Sequence, residues 1–262
     1  ALTVFIGTIY PLFSELFFKS SVSIGAPYYN FSFNLLLVPI ILLMAFAPQI
    51  NWSKHERKNN NSLYIILFSL ILGLVFYYYL SNFYFAFSVF LTAPIFLKSG
   101  VVLFKVFPKN REFVSQWLGH LSIGLFVIAA IFTEQFDYEK NISFKKDDTS
   151  QIFLDSETEV VLKNIQDIDF QNHQKILVSL SILRNGNEYN LSPSKNIYQP
   201  SGQVTNEVGT ANNLLHQFYA TISTIESDQV NLNIVFKPLI NLLWISAIML
   251  IFSIFLSVIK RK

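Results

Sequence analysis

One histidine stands inside a long apolar run. Val114 to Phe132 reads V-S-Q-W-L-G-H-L-S-I-G-L-F-V-I-A-A-I-F, about 19 residues, enough to cross a ~30 Å hydrocarbon layer as a helix. An imidazole in hydrocarbon is costly without a partner, so His120 is a candidate functional group. Gly119 lies beside it and Gly124 one turn later on the same face, where a small residue is expected to leave space over the ring. Ser115, Gly119 and Ser122 form a neighbouring small-residue stripe, the pattern that lets a second helix come close. Two readings follow from these residues. His120 is either hydrogen-bonded to a neighbouring helix or, as a neutral imidazole with room beside it, an axial ligand to haem iron.

The remaining chemistry-bearing residues are sparse. His55 sits in a basic loop next to Glu56 and reads as a solvated side chain; His173, in Q-N-H-Q between strands, reads as a turn residue. His216, in L-L-H-Q-F-Y, is free to face core or water. No two of these histidines have metal-ligand spacing, so a zinc site is unsupported. With no cysteine, disulfides and thiolate chemistry within the chain are excluded. Glu15 and Lys19, four apart, suggest a surface ion pair. Tyr10, Pro11, Gly25, Pro27 and Tyr28 suggest a rigid connection. No phosphate-cradling glycine loop, nucleophile elbow or nucleic-acid patch is present, and no residue is assigned a catalytic role.

What positions His120 is a membrane protein. Of 262 residues, 52 % are hydrophobic and 14 % charged, with a mean hydropathy of +0.42. The excess lies in long runs, which excludes an ordinary soluble domain. Ala1 to Leu12 is too short to span and reads as the end of a helix that starts earlier. A less apolar stretch, Phe13 to Asn30, follows, with Gly25 and Pro27 as breakers. Expected spans are Phe31–Pro48, Ser62–Leu80, Phe83–Phe104, Val114–Phe132 and Pro238–Ile259. Only Ser81 and Asn82 separate the second from the third, which makes those two an antiparallel hairpin.

Between the last two spans, residues 133–237 are polar and strand-like. Glu159–Asp169, Lys175–Leu183, a short strand around Tyr189, Leu214–Ile222 and Val230–Phe236 are the expected strands. Asn185-Gly186 is a tight-turn signal, and Asn206–Asn213 is expected to be a loop. The fold class is therefore an α-helical polytopic membrane protein with an inserted small all-β domain, barrel or sandwich. Three segments are organised around it: 1–132 with the external stretch 13–30, the β domain 133–237, and 238–262.

Basic residues orient the chain. Lys54, Arg57 and Lys58, then Lys105, Lys109 and Arg111, then Lys260, Arg261 and Lys262 fall on one side if there are five crossings; that side is the cytoplasm. The β domain, with 8 Lys or Arg against 14 Asp or Glu, then lies outside. His120 is expected about 9 Å from the cytoplasmic end of its helix, at 1.5 Å per residue.

Several motifs in order resemble a known family. They are G-T-I-Y-P-L and S-V-S-I-G-A-P-Y-Y-N near the start, L-G-H-L-S-I-G before the β domain, Y-Q-P-S-G-Q-V-T-N-E-V-G within it, and V-F-K-P-L-I-N-L-L-W-I at the last span. Together they resemble the C-terminal half of the CcmF family, haem lyase subunits of bacterial cytochrome c maturation; the homologue associated with nitrite reductase is similar in this half too.

The resemblance implies an inner-membrane protein with a periplasmic β domain and a cytoplasmic C-terminus. Its partners would be a haem chaperone, apocytochrome c and other maturation subunits, with no nucleic acid. It implies attachment of haem to C-x-x-C-H through thioether bonds, and a membrane haem b between two histidines on different helices. By its L-G-H setting His120 matches the second of these. The other histidine, and a tryptophan-rich haem-handling loop, are expected upstream of Ala1; Trp52, Trp117 and Trp244 are isolated and read as interface anchors. Against the lyase stands another reading of this segment, a non-catalytic membrane scaffold whose β domain docks partner proteins.

Overall fold

In hydrocarbon a helix satisfies its own backbone groups, which is why long uncharged runs of Leu, Ile, Val and Phe take that form. The structure is a computed structural model and describes residues 2–19, 22–46, 61–106, 111–145, 151–226 and 229–258. His55, Trp52 and the basic residues Lys54, Arg57, Lys58, Lys109, Lys260, Arg261 and Lys262 lie outside the described residues. Among the described residues there are six helices: α1 (Leu2–Phe18), α2 (Ala26–Phe46), α3 (Asn61–Leu80), α4 (Phe83–Val106), α5 (Arg111–Phe136) and α6 (Ile240–Val258). All but α1 are long and apolar enough to cross a membrane; they match the five expected spans in order, although α2 begins at Ala26 rather than Phe31 and α6 at Ile240 rather than Pro238, which closes β10.

The first connection departs from expectation. α1 runs on through Phe18, and α2 already begins at Ala26, so much of the stretch between Phe13 and Asn30 is helical. Pro27 does not break the chain there; it sits in the first turn of α2, where a missing N–H leaves no helical bond unmade.

The α3–α4 hairpin closes as the short link requires. Ser81 adopts a positive φ of 50°, and Asn82 caps α4, its Oδ1 accepting the Phe85 N–H at 2.9 Å. The two helices touch at Gly73, where an added Cβ would stand 3.1 Å from the Ala86 carbonyl oxygen. α4 is buried on the face carrying Phe85, Ser88, Thr92, Ile95 and Ser99.

Among the described residues the polar region forms ten strands: β1 (Tyr138–Lys145), β2 (Gln151–Phe153), β3 (Thr158–Asp169), β4 (His173–Arg184), β5 (Asn187–Leu191), β6 (Ser194–Tyr198), β7 (Val204–Glu207), β8 (Gly209–Asn212), β9 (His216–Ile225) and β10 (Gln229–Pro238). One antiparallel sheet has the order β1-β10-β9-β8. The other has the order β2-β3-β4-β6-β7, with β5 paired to β4. Alternation sends one set of side chains inward from each sheet. Phe144, Phe218, Ile222, Leu232 and Ile234 from the first meet Val160, Leu162, Val178, Leu180 and Ile182 from the second in a single core, the packing of a sandwich.

Asn185 and Gly186, both at positive φ, make the tight β4–β5 turn. Asn206–Asn213 is not a loop: most of it is strand, in β7 and β8. Its polar, glycine-containing sequence concealed two short edge strands, paired to β6 and β9. Edge strands face solvent and need no apolar alternation.

The chain divides into two compact units, Ala1–Gly124 with Leu256–Lys262, and Leu125–Phe255. The division falls within α5 and α6 rather than at their junctions with the strands. Within the second unit the end of α5 is fastened to the end of β10, the Thr133 hydroxyl donating to the Pro238 carbonyl at 2.7 Å.

Candidate functional site

α5 has no proline and only one charged residue, Glu134, after its first turn, so its ladder holds the His120 backbone rigidly. The ring's own partner is local. His120 Nδ1 lies 2.7 Å from the carbonyl oxygen of Gln116. A carbonyl only accepts, so Nδ1 carries the proton and donates it. In the neutral ring this puts the lone pair on Nε2, the tautomer a metal-bound histidine requires. The Gln116 backbone, not its exposed side chain, supplies the contact.

The surroundings differ from the sequence expectation in two respects. Gly124 does not open space over the imidazole; the nearest atoms to a Cβ placed there are Ile95 Cγ2 at 3.5 Å and two Phe96 ring carbons at 3.6 Å, so it faces α4. Trp117 is not an interface anchor. It is buried, 7 % exposed, with its ring centroid 5.7 Å from that of His120 and the planes at 40°. The i,i+3 spacing could have revealed this pair. Ser115 and Ser122 are buried as a close-approach stripe would be, and the Ser122 hydroxyl is satisfied by the Gly119 carbonyl at 2.7 Å.

The site therefore offers one imidazole whose Nδ1 is committed to a backbone carbonyl, leaving Nε2 uncommitted, beside a buried indole. That is half the ligand set of a six-coordinate haem iron. Among the described residues no group of three or more His, Cys, Asp or Glu is placed to hold a metal ion.

The other sequence candidates have local roles. His216 begins β9, half-buried among Tyr189, Phe218 and Phe236, whose ring centroids lie 5.3 to 5.5 Å away. Asn213 Oδ1 accepts the backbone N–H of Leu215 and His216, which turns Nδ2 towards His216 Nε2 at 3.3 Å. Burial, then the charge of Arg184, lowers the His216 pKa, consistent with that neutral acceptor. His173 is the first residue of β4, stacked on Phe170 at 4.6 Å and near Tyr198 at 5.1 Å. Among the described residues Glu15 and Lys19 form no ion pair, and both are exposed. Tyr28 supports the rigid-connection reading, its hydroxyl donating to the Thr3 carbonyl at 3.2 Å.

No protein-family model matches the chain. It is similar over nearly its whole length to cytochrome c-type biogenesis proteins. CcmF of Escherichia coli K12 is 22 % identical over 95 % of this chain and 40 % of its own length. CcmF of Haemophilus influenzae Rd is 24 % identical over 99 % and 42 %, and NrfE of the same organism 24 % over 99 % and 42 %. The solved structure of a protein named cytochrome c heme lyase CcmF has the same fold, with a TM-score of 0.75 at 18 % identity, covering 98 % of this chain and 43 % of that one. The chain thus spans about two fifths of the length of the curated relatives it matches. Similarity along nearly the whole chain and a shared fold make this protein a relative of CcmF, and the part it corresponds to is the C-terminal half.

Proposed function

We propose that the chain is the C-terminal part of a membrane haem lyase that attaches haem covalently to apocytochrome c. It would lie in the bacterial inner membrane, with the β domain in the periplasm and the C-terminus in the cytoplasm. Its similarity to proteins named for cytochrome c-type biogenesis supports the process, and the observation carrying the site is the His120 ring. With Nδ1 committed to the Gln116 carbonyl, Nε2 is the available donor for one axial position of a haem b. The second imidazole would come from outside residues 1–262. When bound, such a haem supplies an electron carrier within the membrane. This chain's part is to orient the imidazole, fix its tautomer and pack the buried Trp117 indole against it.

The test is His120→Ala in the complete protein. Loss of the haem b absorption band with the protein still folded supports the reading; an unchanged spectrum and haem stoichiometry would remove His120 as a ligand.

A second reading takes the β domain as a docking module for a haem chaperone, apocytochrome c or another maturation subunit, with this segment a non-catalytic scaffold. Its support is the adjacent pair of exposed leucines at Leu214 and Leu215, just before β9. Changing Leu214 and Leu215 to Asp should then abolish co-purification of a partner while the haem b spectrum persists. A partner that still co-purifies would end this reading.

A further inference from the structure

Hydroxyls within the helices of this protein mostly satisfy themselves. Ser69, Ser88, Thr92, Ser122 and Ser246 each donate to the carbonyl three or four residues earlier, at 2.7 Å in every case. That is the usual arrangement where no water is available. Ser99 departs from it. Its residue is fully buried, and its Oγ has no hydrogen-bond partner. A buried hydroxyl without a partner carries a desolvation cost, so something is expected to accept from it.

The place of Ser99 says what. It lies one turn beyond Ile95 on the same face of α4, and Ile95 is the residue that α5 meets at Gly124. α4 ends at Val106 and α5 begins at Arg111. The intervening chain reaches at most about 18 Å, too little to return along a 24-residue helix, so the two run antiparallel. One turn from Ile95 towards the end of α4 is Ser99; one turn from Gly124 towards the start of α5 is His120. The unpartnered hydroxyl and the imidazole with an uncommitted Nε2 therefore stand at the same level across the α4–α5 contact.

Resting on the His120 ligand reading, we propose that the Ser99 hydroxyl donates a hydrogen bond to a carboxylate arm of the porphyrin whose iron His120 ligates. The chemistry is restrictive. The pyrrole nitrogens hold the iron, and the vinyl and methyl groups accept nothing, which leaves the carboxylates. Ser99 is then a cofactor-positioning residue on a different helix from the ligand.

The experiment uses the complete protein in detergent, with haem transfer to excess apomyoglobin followed spectrally. Ser99→Ala should keep the haem b absorption maxima but release haem about tenfold faster, the loss expected for one hydrogen bond to a charged acceptor. Reconstitution with iron octaethylporphyrin, whose alkyl arms carry neither carboxylate nor ester, should erase the difference between Ser99→Ala and wild type. Equal release rates with natural haem, or a difference that persists with the alkyl porphyrin, overturns the proposal. His120→Ala is read separately: full retention of haem there overturns the ligand reading itself, whereas normal haem loss by His120→Ala with unaltered release by Ser99→Ala overturns only the role of Ser99.

Discussion

The Nδ1 of His120 donates to the backbone carbonyl of Gln116, one turn back along the same helix, at 2.7 Å. The contact fixes the imidazole tautomer without using any side chain, so it is insensitive to most substitutions at residue 116.

Gln116→Ala should therefore leave haem content and absorption maxima within about twofold of wild type, because a backbone acceptor survives the change. A loss of haem comparable to that of His120→Ala would mean that the glutamine side chain, not the carbonyl, orients the ring. Pyridine haemochrome quantitation of the purified protein decides it.

The β sandwich should fail by cavity formation. Ile182 and Ile234 are fully buried on opposite sheets of one core. Either one changed to Ala should destabilise the domain by roughly 2–5 kcal/mol, the range for a large aliphatic side chain deleted from a packed core. Denaturant unfolding of the detergent-solubilised protein, followed by near-ultraviolet dichroism, gives the comparison.

Gly186 sits at φ +76° in the β4–β5 turn. Gly186→Val should cost on the order of 1–3 kcal/mol, since a β-branched residue is strained there. Asn187→Ala, next to the turn, provides the control, and the same unfolding measurement applies.

Acid should weaken the domain at Glu207. Its carboxylate accepts from Lys175, Ser194 and Asn196, and these bonds, Lys175 first, pull its pKa down to about 2. A folded pKa below the unfolded value gives a contribution present in full above about 4.5 and lost as the pH falls towards 2. Glu207→Gln should flatten the melting temperature against pH across that window and leave it unchanged in shape above pH 6.

His216 acts at higher pH. Burial and Arg184 lower its pKa, so below about 6.5 the unfolded chain takes up a proton that the folded one does not. Stability should fall as pH drops through that value, and His216→Gln should remove this part of the slope. A slope identical to wild type would mean that the ring is already protonated in the fold.

Much of this architecture is carried by local sequence. The five spans follow from apolar length, the α3–α4 hairpin from a two-residue link that only a tight reversal can bridge, and the β4–β5 turn from Asn-Gly. His120 stood out because an imidazole in an apolar run has few bland explanations.

Tertiary structure decided the rest. β7 and β8 have no apolar alternation to announce them, because their partners are β6 and β9 rather than the core. The i,i+3 spacing already made Trp117 a neighbour of His120; only tertiary packing decided that its indole is buried. Gly124 turned out to serve α4, because a glycine's role depends on which helix approaches it. Ser99 gave no signal at all in the sequence, where it is one serine among many. Its significance is the absence of a carbonyl bond that its counterparts make, which shows only in the folded helix.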